Sequence, residues 1–386
     1  MNSLQKVIVA EKVHIPVKGG VRMPFGSAIS ALTAVLLGIA LGFILQRGRF
    51  CLNSAFRDIV FIQDFTFFRA YLLCLAVAII GTNVLESAGL IMKYDQEAGR
   101  FVSTELMRQS FVPIANILGG FLFGLGIVLA GGCASGIVYR LGEGQIGALI
   151  AIVGFFFGVG MTTDGMLSPV RDYLKSFKVE VFGVTNPAIW DLFGGSLTAK
   201  WATITVFCVV LLIFVFKGKP TFGKSGKGYA WGLTGVLVGL LTVIAWEVSS
   251  VFGGAPRGLA ITTPLRELFN SMLTNSTHSP FQEFSFLGIF TGTWGVFFIL
   301  AVPIGAWLSA AGLKEFKWKT PPAKEVLTVF FGSVLMGIGA VIAGGCNLGH
   351  GVTGMSTMSL ASLVAITAIM LGNWTMVYFK FIRPME

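Results

Sequence analysis

The sequence is short of charge. Asp, Glu, Lys and Arg make up 12% of its 386 residues, against roughly 25% in soluble domains. Too few polar groups remain to coat a globular protein of this size, which excludes a soluble fold. Histidine is scarce, with three residues, and the five cysteines are odd in number and include no CxxC pair. A disulfide framework and a zinc knuckle both need paired cysteines. Neither is expected, nor is any metal or other cofactor. HExxH and GxSxG motifs and paired catalytic acids are all missing, and with them the main signatures of metalloproteolysis and serine-hydrolase chemistry. The chain therefore reads as a non-enzyme. No cleavable leader is expected, because the first apolar run, from about Ser27, is too long for the core of a signal peptide and should remain as a helix.

Apolar residues fill the chain instead. They make up 54% of it, with 50 glycines and 35 phenylalanines, and the mean hydropathy is +0.81. Apolar runs of about 20 residues, enough to cross a hydrocarbon layer about 30 Å thick, recur from end to end. The pattern predicts an all-α polytopic membrane protein with nine spans, near 28–46, 67–90, 113–132, 144–163, 200–217, 229–251, 285–311, 325–345 and 358–379. Glycine suits close helix approach and phenylalanine a lipid-facing surface. In a soluble protein the net charge of +10 would suggest nucleic acid as a partner. Here Lys and Arg flank the spans, so the partner is the lipid bilayer and no nucleic acid is expected. A basic passage that attracts an anion is compatible with the same excess.

Gly-Gly-Cys occurs twice, each time at the end of an apolar run: Gly131-Gly132-Cys133 after FLFGLGIVLA, and Gly344-Gly345-Cys346 after VLMGIGAVIA. The likeness extends outward without a gap. Gly124 pairs with Gly337, Gly126 with Gly339, Ala130 with Ala343 and Gly136 with Gly349, all at the spacing that separates Cys133 from Cys346. Two further segments, RGRFCLNSAFRDIVF and FGGAPRGLAITTP, are too polar to span and too apolar for open loops. They read as re-entrant counterparts, because irregular backbone at membrane depth needs cover from protein or a water-filled cavity. Each half is then span, re-entrant piece, span, span, broken helix, span, with the fifth span as the link. An odd span between two four-span halves inverts the second half, and the two breaks are expected to face one another in the bilayer interior. The divisions are a polar tail at 1–26, a first repeat at 27–163, a connecting loop, link helix and basic loop at 164–228, and a second repeat at 229–386. KGKPTFGKSGK and KEFKWKTPPAK carry four lysines each. Their shared face is placed in the cytoplasm, with the N-terminus outside and the C-terminus inside a prokaryotic inner membrane.

A helix that breaks at Gly-Gly and restarts near Cys offers unpaired amide N–H groups and the positive end of its dipole, which favours an anion. The thiol adds a weak donor and a soft contact, a combination suited to a sulfur-containing anion. A buried packing motif is the plain alternative, and two matched copies weaken it. The candidate binding residues are Gly132, Cys133, Gly345 and Cys346, with Arg49 and Cys51 in the first re-entrant segment and His350 one turn beyond Cys346. Arg47, Arg49 and Arg57 flank Cys51 either as anion attractors or as interfacial anchors. His350 either serves the anion as donor or proton relay, or hydrogen-bonds a carbonyl that the break frees. Cys74 and Cys208 sit inside apolar runs as small hydrophobes. Glu86 and Glu247 suit ion coupling or, near span ends, interfacial exposure. Asn373 suits interhelical hydrogen bonding and Trp374 an interface anchor. Residues 142–147 read GxGxxG but join two membrane segments, so they form a turn and not a dinucleotide site. The sequon at Asn275 is given no weight.

RGRFCLNSAFRDI, AGGCASG and AGGCNLGHGVTG, set in a nine-span inverted repeat, resemble the YeeE/YedE-type sulfur transporter family over nearly all of residues 28–380. The resemblance implies an hourglass-shaped protein that takes up thiosulfate through thiols on a central path, with roles for Cys51, Cys133 and Cys346. The GHG after the second Gly-Gly-Cys favours the thiosulfate branch over members linked to selenium metabolism. Residues 1–26 and those around 164–199 are extra relative to compact members, so the substrate is expected among the small sulfur oxyanions, thiosulfate first. Two rival classes stand beside uptake. A membrane thiol oxidoreductase requires cysteines close enough for a disulfide. A docking module for a soluble sulfurtransferase would use Lys217–Lys227 as its surface.

Overall fold

The computed structural model describes residues 26–95, 100–103, 108–217, 228–253, 256–274, 283–286 and 290–385. The polar tail, the sequon and the basic loop apart from Lys217 lie outside the described residues. Thirteen α-helices are present among those described: α1 Gly26–Gly48, α2 Leu52–Phe61, α3 Thr66–Ser87, α4 Pro113–Leu129, α5 Ala134–Gly142, α6 Ile146–Thr163, α7 Ser168–Ser176, α8 Leu197–Phe216, α9 Trp231–Phe252, α10 Thr262–Thr274, α11 Trp294–Gly312, α12 Ala323–Ala343 and α13 Leu360–Val377. Nine stretches are long and apolar enough to cross a membrane among the described residues, with α1–α2 and α4–α5 each counted as one. The chain is an all-α polytopic membrane protein.

One predicted boundary moves. The seventh span was expected from residue 285 and begins at Trp294. Residues Glu283–Phe286 (β3) and Phe290–Thr293 (β4) pair instead as an antiparallel hairpin. Thr293 sets the boundary: its hydroxyl accepts the Val296 N–H at 3.3 Å and caps α11. A second hairpin joins Met92–Asp95 (β1) to Arg100–Ser103 (β2).

The helices pack as an inverted repeat. At the centre α4 crosses α12, where a Cβ on Gly126 would strike the Met336 backbone and one on Gly339 would strike the Phe123 backbone. Positions 126 and 339, and 123 and 336, are repeat equivalents, so the contact is reciprocal. The exchange extends outward. Gly124 of α4 faces the Ile369 carbonyl of α13, and Gly337 of α12 faces the Phe155 carbonyl of α6. Gly38 and Gly42 of α1 lie on the Phe298 and Val302 carbonyls of α11, as Gly235 and Gly239 of α9 lie on those of Ala70 and Cys74 in α3. Lipid tails are as apolar as leucine, so such backbone proximity, and not burial from water, holds membrane helices together. The link helix α8 packs on α3, and only 17% of its span is buried, which leaves it at the periphery.

The same crossing corrects one expectation. Gly119 lies against Ala343, whereas Gly332 lies against Leu129 and Ala130. The two Gly-Gly-Cys breaks are therefore staggered along α4 by about 15 Å, at 1.5 Å per residue, and do not sit face to face. Two antiparallel helices that cross near their middles and break near their ends must present those breaks at opposite depths.

Candidate functional site

Both breaks turn on a left-handed glycine, Gly131 at φ +72° and Gly344 at φ +91°, a conformation that glycine adopts without steric cost. Carbonyls freed at membrane depth need new donors, and side chains supply them. The Gly131 carbonyl accepts from Arg140 Nη1 at 2.6 Å, and the Gly344 carbonyl from Gln109 Nε2 at 2.7 Å. The Ala343 carbonyl accepts from Asn116 Nδ2 at 3.0 Å and lies 3.1 Å from His350 Nε2.

The first site joins two elements. Cys51 is the N-cap of α2 and Cys133 the N-cap of α5. Their sulfurs are 3.6 Å apart, and Cys133 Sγ lies 3.3 Å from Ser135 Oγ. All five cysteines are free and buried. Gly136, in the first turn of α5, leaves room beside this pair, since a Cβ there would lie 3.2 Å from Cys51 Sγ and 3.4 Å from Cys133 Sγ.

The second site holds one thiol. Cys346 lines a cavity of about 180 Å³ with Gly345, Thr353, Thr357 and Ser359, and the Gly349 N–H donates to its sulfur at 3.4 Å. The chain beyond it runs through a π-helical turn, Gly349–Gly354, a rare geometry that recurs at functional sites. Aligning Arg57-Asp58 of α2 with Arg266-Glu267 of α10 sets Ala260 opposite Cys51. Ala260 lies in the wall of the Cys346 cavity. The paired thiols of one repeat thus become a thiol and a methyl in the other.

Several predicted residues stand elsewhere. Arg49 pairs with Glu315 at 3.0 Å and lines a separate cavity of about 280 Å³ with Glu143, Gln145, Lys314, Lys317 and Lys319. Arg47 stacks on Phe43 and Tyr229, and Arg57 pairs with Asp58 at 2.8 Å. The arginine that closes the first break is Arg140, in the last turn of α5, a residue not singled out from the sequence. Gly132 lies against that guanidinium, and Gly345 against His350.

His350 is fully buried between the Ala343 carbonyl and Ser362 Oγ, each 3.1 Å from a ring nitrogen. A carbonyl only accepts, so Nε2 donates to it and Nδ1 receives the Ser362 hydroxyl. His350→Ala should therefore lower the yield of folded protein, read by fluorescence-detected gel filtration. Normal folding with lost uptake would return His350 to the substrate.

Glu86 sits at the end of α3 against Lys200 at 2.8 Å and Arg108 at 3.6 Å, with Trp190 beneath both cations. It ties the link helix to the first repeat. Glu247 is half-buried on α9. Asn373 donates to Asn53 Oδ1 at 2.7 Å, and Trp374 donates to the Phe56 carbonyl at 3.0 Å. Both bind α13 to α2, so Trp374 is tied to protein backbone as well. No group of three or more His, Cys, Asp or Glu that would hold a metal occurs among the described residues.

Comparison with known proteins agrees with this architecture. A family model described as sulphur transport matches residues 47–375. The chain is 33% identical over 358 residues to a protein of Spirochaeta thermophila called thiosulfate transporter TsuA, with 91% of this chain and 99% of that one covered. It is 31% identical over 369 residues to the thiosulfate transporter TsuA of Escherichia coli K12, covering 92% and 95%. A probable transporter, YedE of Escherichia coli K12, is 29% identical over 225 residues, 58% of this chain and 43% of its own length. Duplicated broken helices, buried free thiols and a family match over most of the length lead to one conclusion: the chain belongs to the sulphur transport family and is a multi-pass membrane transporter.

Proposed function

We propose that the protein takes up thiosulfate, which passes from the Cys346 cavity to the Cys51–Cys133 pair. One observation carries the reading: Cys346 lies in the wall of a cavity that shares its lining with a wider, basic one, while the paired thiols lie at the other break, about 15 Å deeper along α4. The names of two relatives matched over more than nine-tenths of the chain support the choice of anion.

A dianion does not cross hydrocarbon unaided, because desolvating its charge costs many kcal/mol. At each break the helix that restarts supplies amide dipoles, and the thiol supplies a weak donor with a polarisable sulfur. Thr353, Thr357 and Ser359 add hydroxyls around Cys346. The thiols act in the protonated form, since a thiolate would repel the ion. Two modest stations in series also allow release, which one tight site would prevent. Uptake leaves all five cysteines as free thiols, so alkylation and mass spectrometry before and after transport should find no disulfide.

The lysine face, with Lys314, Lys317 and Lys319, is cytoplasmic in this reading, and the Cys346 cavity opens outside. Lys317→Cys in a cysteine-free background should react with an impermeant maleimide only after cells are opened. Labelling of intact cells would reverse the direction. The function itself is tested by growth. In a host without its own uptake systems, the protein should restore growth on thiosulfate as sole sulfur source, with sulfite, sulfate and selenite run in parallel. No growth on thiosulfate would end the reading.

A further inference from the structure

The wider cavity has a chemistry of its own. It has a volume of about 500 Å³ and shares Arg108, Gln109, Thr262, Thr263 and Gly344 with the Cys346 cavity. Among the described residues four cationic side chains line it, Arg108, Lys175, Lys178 and Arg266, and no Asp or Glu does. Glu86 lies against Arg108. Lys175, Lys178 and Arg266 take part in no ion pair among the described residues. The cavity at the lysine face differs, because Glu143 and Glu315 stand among its cations.

The lining comes from segments far apart in sequence. Lys175 belongs to α7 and Lys178 follows it, both within the stretch that connects the repeats. Arg266 belongs to α10, whose first two residues, Thr262 and Thr263, form the wall between the two cavities. Thr262 is 7% exposed, and its hydroxyl oxygen has no hydrogen-bond partner. Leaving such a group buried and unsatisfied is unfavourable. Its position at the start of a 13-residue helix, where the dipole end is positive, makes an anion the complementary partner.

We propose that this vestibule is a second anion site, in which Lys175, Lys178, Arg266 and Thr262 hold a small divalent oxyanion before it reaches Cys346. The handover rests on the transport reading; the binding does not. Charges at a mouth raise the local concentration of an oppositely charged solute and the rate of its capture. They should govern affinity and leave the later steps alone.

Lys175 carries a further signature. Burial holds it down at about 8, helped by the like charges of Arg171 and Arg266 and opposed by Asp172; Lys178 and Arg108 share its cavity, and His350 lies within electrostatic reach. Lysine loses its charge as pH rises through this value. Capture should therefore weaken above pH 8.

The test uses the full-length protein in detergent at low ionic strength, with thiosulfate binding followed by calorimetry and uptake followed in proteoliposomes. Lys175→Gln with Lys178→Gln should weaken binding about tenfold, raise the half-saturation concentration to match and leave the maximal rate within about twofold. The pH step near 8 should vanish. Lys175→Arg with Lys178→Arg should bind normally at pH 7 and hold its affinity above pH 8. None of the residues of α7 is fully buried, so these variants should fold. Unchanged binding by the double Gln variant would overturn the site, whether or not the protein transports. Lysine-dependent binding without any uptake would instead sink the transport reading and leave the vestibule standing.

Discussion

Replacing Cys346 with alanine should reduce thiosulfate uptake to background. The variant removes the one sulfur that the described residues place in the wall of the 180 Å³ cavity, and with it a hydrogen bond from the Gly349 N–H. Loss of such a bond costs about 1 kcal/mol, too little to unfold the helix bundle, so the protein should still reach the membrane at normal levels. Cys133→Ala should abolish uptake as well, because Cys133 touches both Cys51 and Ser135. Cys74 and Cys208 provide the control. Cys74 packs between α3 and α9 and Cys208 lies on the link helix, and alanine at either should leave uptake intact. The measurement is labelled thiosulfate accumulated by cells that lack other routes, normalised to protein in the membrane. Undiminished uptake by the Cys346→Ala protein would remove the thiol from the mechanism.

Gly126→Leu or Gly339→Leu should yield no folded protein. Each glycine presses on backbone of the facing helix, so even the first side-chain carbon has no room. Backbone cannot rotate aside as a flexible side chain can, and overpacking of this kind costs about 3 kcal/mol or more. The two sites are related by the repeat, so their effects should be equal. Gly312→Ala gives the contrast, because nothing lies within 4 Å of its new carbon. Fluorescence-detected gel filtration separates the outcomes: aggregate for the two leucine variants and a monodisperse peak for Gly312→Ala. A monodisperse Gly339→Leu protein would mean that α4 and α12 do not cross this closely.

Much of this architecture is legible residue by residue. Eight of the nine spans start and stop within a few residues of where the apolar runs do, because a helix in lipid must satisfy its own backbone. Thr291 and Thr293 mark the exception: their alternation with Phe290 and Gly292 suits a strand, but the apolar run conceals it. At the breaks, Gly-Gly is a local signal for the loss of helix, and α4 and α12 end just before Gly131 and Gly344. The donors that close those breaks are another matter. Arg140 lies nine residues beyond Gly131, whereas Gln109 and Asn116 come from the first repeat to serve the second. The arginines that flank Cys51 drew notice for their nearness in sequence, and each proved to be engaged elsewhere.

By itself the sequence established a membrane protein of nine apolar spans, a duplicated and inverted unit, and a cysteine at each break, since span length and glycine content act within one helix and need no knowledge of its neighbours. Which thiols meet was decided only by the tertiary structure. Cys51 and Cys133, separated by three helices in the chain, come within 3.6 Å, while Cys346 opens on a cavity that shares a wall with a wider one lined by lysines from α7 and just beyond it. Apolar periodicity records that a helix face is buried, but not which partner buries it. That choice rests on the antiparallel crossing of α4 and α12, which set the two breaks at opposite depths.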